Sequence, residues 1–95
     1  MDERQVVVTT RHRDVWTGLA TDDGESGTIV LTQARHVHYW DPETEGLSGL
    51  ASRGPGPRSR LAPPVSRVRI RDVVAVLDAS PIATERLRSV GWYRG

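Results

Sequence analysis

TIVLTQARHVHYW, residues 28–40, is rich in β-branched and aromatic side chains, which favour strands. The run is longer than a usual strand of about 3–10 residues, so we expect it to bend near Gln33 and Ala34. Asp41 and Pro42 then end it, because proline has no N–H to donate to a sheet ladder. The stretch predicts one long, bent strand and hence a mainly β protein.

Shorter strands are predicted on both sides of this run. QVVVTT (5–10) and VWTGLA (15–20) have the composition of hairpin strands, and the turn-rich TDDGESG (21–27) follows them. Further along, RVRIR (67–71) alternates arginine with apolar residues, as a half-buried strand does. VVAVL (73–77) is continuously apolar, which is typical of a buried strand end.

A short helix is predicted at the C-terminal end. Ser80 is placed to cap it, Pro81 to be its first residue, and Gly91 to stop it just after Val90. Its apolar stripe would consist of Ile82, Leu87 and Val90. We therefore expect residues 1–95 to form a single mainly β domain, a small antiparallel barrel or sandwich of five or six strands with this helix.

The chain is short and has no cysteine, so neither a disulfide nor a thiolate metal site stabilises it. A domain of 95 residues buries only about 60–65% of its unfolded surface. Oligomerisation is the usual remaining source of stability, and we expect a homo-oligomer. The sequence shows neither a signal peptide nor an apolar run long enough for a membrane span, which favours a cytoplasmic protein with no membrane partner.

Charge is divided unevenly along the chain. Up to Glu45, nine acidic residues face four arginines, for a net −5; from Gly46 onward, nine arginines face three acidic residues, for a net +6. All 13 basic residues are arginine. Arginine binds phosphate or carboxylate with two parallel hydrogen bonds, and the overall charge of only +1 favours a compact anionic partner over a long polyanion.

The segment LASRGPGPRSRLAPP, residues 50–64, combines prolines that restrict the backbone with glycines that permit close approach. The backbone amides of residues 58–60 have no evident strand partner. With the guanidinium groups of Arg58 and Arg60 and the hydroxyl of Ser59 they would surround a phosphate. The alternative is a solvated basic connector between two strands.

Two further arginines, Arg67 and Arg69, would project from one face of their strand about 6.6–7 Å apart, near the spacing of successive phosphates. This pattern also has two structural interpretations. Arginines on an exposed strand discourage edge-to-edge aggregation, or they meet the acidic half of a neighbouring copy in a head-to-tail ring.

His36 and His38 would share one strand face beside Trp40. Three interpretations of this pair are open: ordinary strand residues, partners of a nucleobase or other ligand, or ligands of zinc together with His12 or a carboxylate. A single such pair is weak evidence for zinc, and we expect no metal and no cofactor. The motifs of nucleophilic, P-loop and metal-dependent enzymes are absent, so we expect a protein without catalytic activity.

Three segments carry a resemblance to a known family: IVLTQARHVHYWD (29–41), SRGPGPRSRLAPPV (52–65) and RIRDVVAVLDASPIATERL (69–87). The chain resembles small proteins of unknown function found in phages and prophages. They share an Ala-Arg step before an aromatic pair, here Tyr39 and Trp40, a glycine loop followed by arginine, and a Pro-Val step, here Pro64 to Val65. The resemblance implies a phage setting and a host cytoplasm, but no reaction.

Three functions remain open. The first is an oligomer that binds an anionic nucleotide and, in a phage setting, sequesters a host defence signal. The second is a protein that binds RNA or single-stranded DNA through the same arginines and aromatic rings. The third is a structural or accessory phage protein without a small ligand.

Overall fold

The structure is a computed structural model, and it describes residues 3–90. Six strands, one turn of 3-10 helix and two short α-helices follow one another along the chain. In order they are β1 (Arg4–Thr10), β2 (Val15–Ala20), β3 (Ile29–Tyr39), the 3-10 turn (Pro42–Thr44), α1 (Gly46–Ser52), β4 (Arg60–Leu61), β5 (Val65–Ile70), β6 (Val73–Asp78) and α2 (Pro81–Ser89).

β3 is the strand on which the rest of the sheet assembles. One of its edges pairs with β2, and the other pairs with β5 along its first half and with β4 near its end. β1 continues the sheet beyond β2, β6 continues it beyond β1, and all of these pairs are antiparallel. The expected mainly β class, with six antiparallel strands and a short C-terminal helix, is therefore confirmed.

The sheet curls strongly but does not close into a barrel. β5 and β6 lie at opposite edges, yet only Arg71 and Asp72 connect them. A connection this short spans at most about 10 Å, so the two edges approach each other at this corner. No ladder joins β5 to β6 within residues 3–90, and the curled sheet stays open along this seam.

The predicted bend in β3 is a β-bulge at Gln33, whose φ of 49° is left-handed. Thr17 pairs with Arg35 whereas Leu19 pairs with Thr32, so β3 has one extra residue there. An extra residue shifts the alternation of side chains by one position. Before the bulge, Ile29 and Leu31 point into the curl; after it, Ala34 does so, whereas Val37 faces the opposite cluster.

Apolar side chains form two clusters, one on each face of the sheet. The concave face contains Val6, Val8, Ala20, Ile29, Leu31, Ala34 and Ile70. On the convex face the two helices cover a second cluster of Val7, Val15, Val37, Leu50, Ala51, Leu61, Ala83 and Leu87. No helix within residues 3–90 is long and apolar enough to cross a membrane.

Local predictions near the C-terminus were correct in part. Ser80 caps α2 as predicted, since its Oγ accepts a hydrogen bond from the amide of Ala83 at 3.0 Å. The predicted apolar stripe was wrong at Ile82, which is 60% exposed; Ala83 and Leu87, four residues apart, form the buried face instead. The expected role of Gly91 as a helix stop lies outside the described residues.

Two other expectations are corrected by the fold. VVAVL does not form a buried strand end, because β6 is an edge strand with no fully buried residue, and Val74 is 67% exposed. Residues 50–52 do not belong to a connector between two strands, because they form the end of α1, whose Leu50 and Ala51 pack on the convex side of the sheet.

Candidate functional site

The segment of residues 50–64 is folded into the protein rather than solvated. Leu50 and Leu61 are fully buried at its two ends, within the helix-covered cluster. Leu61 pairs with Val37 of β3, so β4 fixes the end of the segment to the sheet. At its start, Gly54 has a φ of 88°, and its amide donates to carbonyls of α1.

Between these anchors, the Gly-Pro segment wraps around the carboxylate of Asp41, a residue with 0% exposure. Asp41 Oδ2 accepts a hydrogen bond from the amide of Arg58 at 2.8 Å, and Oδ1 accepts one from the Thr44 hydroxyl at 3.4 Å. The amide of Asp41 in turn donates to Ser59 Oγ at 3.1 Å. A Cβ added at Gly56 would lie 2.0 Å from Asp41 Oδ1, so glycine is required for this approach.

This arrangement corrects the expected phosphate cradle. The amide of Arg58 is occupied by Asp41, and the amide of Ser59 donates to the Gly56 carbonyl at 3.1 Å. Ser59 is only 7% exposed, and its hydroxyl is engaged by Asp41 and Thr44. The anion that the Arg58 amide binds is the protein's own carboxylate, and neither the Arg58 amide nor the Ser59 amide is left to bind an external anion.

The side chains of Arg58 and Arg60 line an open cleft of about 380 Å³ together with Tyr39 and Pro42. Tyr39 is 46% exposed, and the guanidinium carbon of Arg60 lies 5.8 Å from the centre of its ring. The side chain of Arg58 makes no hydrogen bond or ion pair with any residue of the described chain. This cleft, called the Tyr39 cleft below, presents two cations and one exposed ring.

A second cleft, of about 370 Å³, adjoins the first at Tyr39. It also contains two predicted site residues, His38 and Trp40, and Tyr39 is the lining residue that it shares with the cleft of Arg58 and Arg60. Its other lining residues are Arg13, Val15 and Val37. Each cleft falls within the range of roughly 300–1,000 Å³ typical of small-molecule sites, and no carboxylate of the described part of the chain lines either one.

His36 lies deeper than His38 on the same strand face. Its ring centre is 4.6 Å from that of His38 and 4.7 Å from that of Trp16, and its Nε2 is 3.8 Å from Asp14 Oδ1. Burial and, secondarily, the nearby His38 lower the pKa of His36, although Asp14 acts in the opposite direction. The lowered pKa favours the neutral form of His36, whose ring contacts that of His38.

The strand arginines lie away from this site. Arg67 pairs with Thr32 and Arg69 with Val30, whereas Arg60 pairs with Tyr39 at the other end of β3. Allowing for the bulge, this separation along β3 is about 20 Å at roughly 3.3 Å per residue. Arg67 and Arg69 thus do not share a compact ligand with Arg58 and Arg60.

Sequence reasoning missed Tyr39, Pro42 and Arg13 as lining residues. Tyr39 was noticed only as half of an aromatic pair, although an aromatic residue just before the Asp-Pro end of a strand is a usable signal. Nothing in the sequence pointed to Arg13, because the β1–β2 turn carries it to the second cleft. Among residues 3–90, no group of three histidine or acidic side chains could hold a metal ion.

Fold and site together define a small mainly β domain, an open curled sheet with a basic, aromatic cleft where its longest strand ends. Residues 3–87 match the family model described as "Domain of unknown function (DUF6948)", and the chain belongs to that family. No curated protein and no solved structure matches the chain.

Proposed function

We propose that the protein binds an anionic nucleotide, with its phosphate at Arg58 and Arg60 and its base against Tyr39, and does not turn it over. The observation that carries this proposal is the shared lining of the Tyr39 cleft by both arginines and an exposed ring. Guanidinium groups suit phosphate, and tyrosine stacks on any base. A second position for the base is offered by His38 and Trp40 in the adjoining cleft.

The electrostatics of the cleft support a compact anion. Arg58 has no partner in the described chain, so its charge is available to a ligand at no cost in broken ion pairs. Asp41, the carboxylate that the Gly-Pro segment encloses, is buried and bound to backbone and hydroxyl donors, which keeps it out of the cleft. The ordered Gly-Pro segment holds both arginines near one another, which reduces the entropy lost on binding.

We further propose that binding serves sequestration in a host cytoplasm, by an oligomer of this chain. This part rests on the resemblance to phage proteins and on the uneven charge of the two halves of the sequence. A protein that only has to retain a signalling nucleotide needs cations and a stacking surface. It has no need for a general base positioned by a third residue.

The experiment is calorimetric titration of a panel of mono-, di- and cyclic nucleotides, chosen after native mass spectrometry of protein purified from a host with active nucleotide signalling. Arg58→Ala should make the binding free energy of the nucleotide less favourable by about 1.5–3 kcal/mol, the scale of a charge-assisted hydrogen bond. Arg67→Ala is the matched control, since it removes the same charge at a site about 20 Å along β3. Equal affinity of both variants would overturn the proposed site.

The alternative function is binding of RNA or single-stranded DNA, and the exposed Arg67 and Arg69 of β5 favour it. A single nucleic-acid strand that runs along β3 could contact these arginines and the Tyr39 cleft at the same time. In that case Arg67→Ala and Arg58→Ala would lower the affinity for an oligonucleotide equally, and this affinity would fall steeply as the salt concentration rises. A single nucleotide bound with little salt dependence would contradict this alternative.

A further inference from the structure

Arg35 of β3 is a buried arginine with no carboxylate partner among residues 3–90. Only 4% of its surface is exposed, and its three nitrogens donate to carbonyl oxygens: Nε to Ala62 at 2.8 Å, Nη1 to Leu87 at 3.0 Å and Nη2 to Leu61 at 3.4 Å. None of the four contacts between a basic and an acidic side chain found within residues 3–90 includes it. Within these residues its positive charge is met by neutral groups alone.

The surroundings leave this charge only partly compensated. Leu87 lies in the last turn of α2, where unpaired carbonyls carry partial negative charge. Partial charges offset less than a carboxylate would, and burial accordingly lowers the pKa of Arg35. A guanidinium has five N–H groups, of which these contacts use three, so two remain for another acceptor.

Arg35 borders a small cleft that is separate from the Tyr39 cleft. It has a volume of about 190 Å³ and is lined by Gln5, Gln33, Arg35, Pro64, Leu87 and Arg88. Arg88 of α2 makes no hydrogen bond or ion pair with other residues in the described range. The lining thus brings together two arginines and two amide side chains, and none of the acidic residues within 3–90 belongs to it.

From this arrangement we propose that Arg35 and Arg88 form a second binding site, for a compact oxyanion such as a phosphate or a carboxylate group. The volume of about 190 Å³ is ample for such a group. An oxyanion there would accept from the remaining N–H groups of Arg35 and from Arg88. It would also link β3 to the end of α2.

The test is a titration of the intact protein with inorganic phosphate, and separately with sodium acetate, at ionic strength held constant with sodium chloride. The readout is the Arg35 Nε–H resonance in ¹H–¹⁵N spectra, which a buried, hydrogen-bonded guanidinium keeps visible. We expect saturable shifts at Arg35 and at the Arg88 amide in the millimolar range. A response to phosphate alone or to acetate alone identifies the preferred oxyanion, and no response to either overturns the proposal.

Variants separate this site from non-specific attraction. Arg88→Gln, at an exposed position of α2, should lower the affinity for the titrated anion about tenfold or more while the fold is retained. Arg71→Gln removes the same charge from an exposed position outside the cleft and should leave the affinity unchanged. Equal weakening in both variants would refute the site. Arg58→Gln should also leave it unchanged, so the outcome is independent of nucleotide binding in the Tyr39 cleft.

Discussion

Replacement of Asp41 by alanine should unfold the arginine-bearing segment before it affects any ligand directly. The change removes the acceptor of the Arg58 amide at 2.8 Å and leaves that donor without a partner in a part-buried position. A hydrogen bond to a charged group contributes about 1.5–3 kcal/mol, and the weaker 3.4 Å contact with Thr44 adds less. Because Asp41 is fully buried, solvent cannot replace the lost contacts without local opening.

We therefore expect Asp41→Ala to lower the free energy of unfolding by about 2–4 kcal/mol. For a domain of this size the melting temperature falls by roughly 10–25 °C. Urea unfolding followed by tryptophan fluorescence measures the free energy, and circular dichroism measures the melting temperature. Asp41→Asn keeps the shape and one acceptor oxygen, so its loss should be smaller, about 1 kcal/mol.

Two further variants make the test sharp. Gly56→Ala places a methyl group 2.0 Å from Asp41 Oδ1 and should destabilise the protein by about 1–3 kcal/mol through overpacking. Asp78→Ala is the control, because its carboxylate is 70% exposed although it pairs with Arg4 at 2.9 Å, and it should cost less than about 1 kcal/mol. If Asp41→Ala costs no more than Asp78→Ala, the carboxylate does not organise the segment.

Three other predictions concern pH, assembly and chemistry. Because the pKa of His36 is lowered in the folded protein, the unfolded chain binds a proton at this histidine more readily. The free energy of unfolding should therefore fall as the pH drops below about 6.5 and level off below the folded pKa. Chemical denaturation at several pH values measures this dependence on pH, which should be smaller in His36→Gln. Light scattering across a dilution series should give a discrete homo-oligomer, and a monomer at every micromolar concentration would contradict it. Nucleotides incubated with the protein should stay intact by chromatography; cleavage abolished by His36→Ala or His38→Ala would show catalysis after all.

Part of the fold was predictable because the alternation of apolar and polar residues and the backbone preferences of turn and cap residues act locally. The strands at 5–10 and 15–20, the bend near Gln33 and the Ser80 cap all follow from neighbouring residues, and the structure contains them. The helix α1 and the exposed edge strand β6 were not predictable in this way. Whether VVAVL is buried depends on which strands flank it, and that is decided by pairing between distant segments.

The same distinction between local sequence and long-range pairing applies to the candidate site. Composition alone identified residues 50–64 as a constrained, arginine-rich segment, because proline and glycine restrict or free the backbone wherever they stand. Only the tertiary structure showed that the segment encloses Asp41, that Tyr39 shares a cleft with Arg58 and Arg60, and that Arg67 and Arg69 lie elsewhere. Local sequence sets which conformations a segment can adopt, but long-range pairing on both edges of β3 sets which side chains meet.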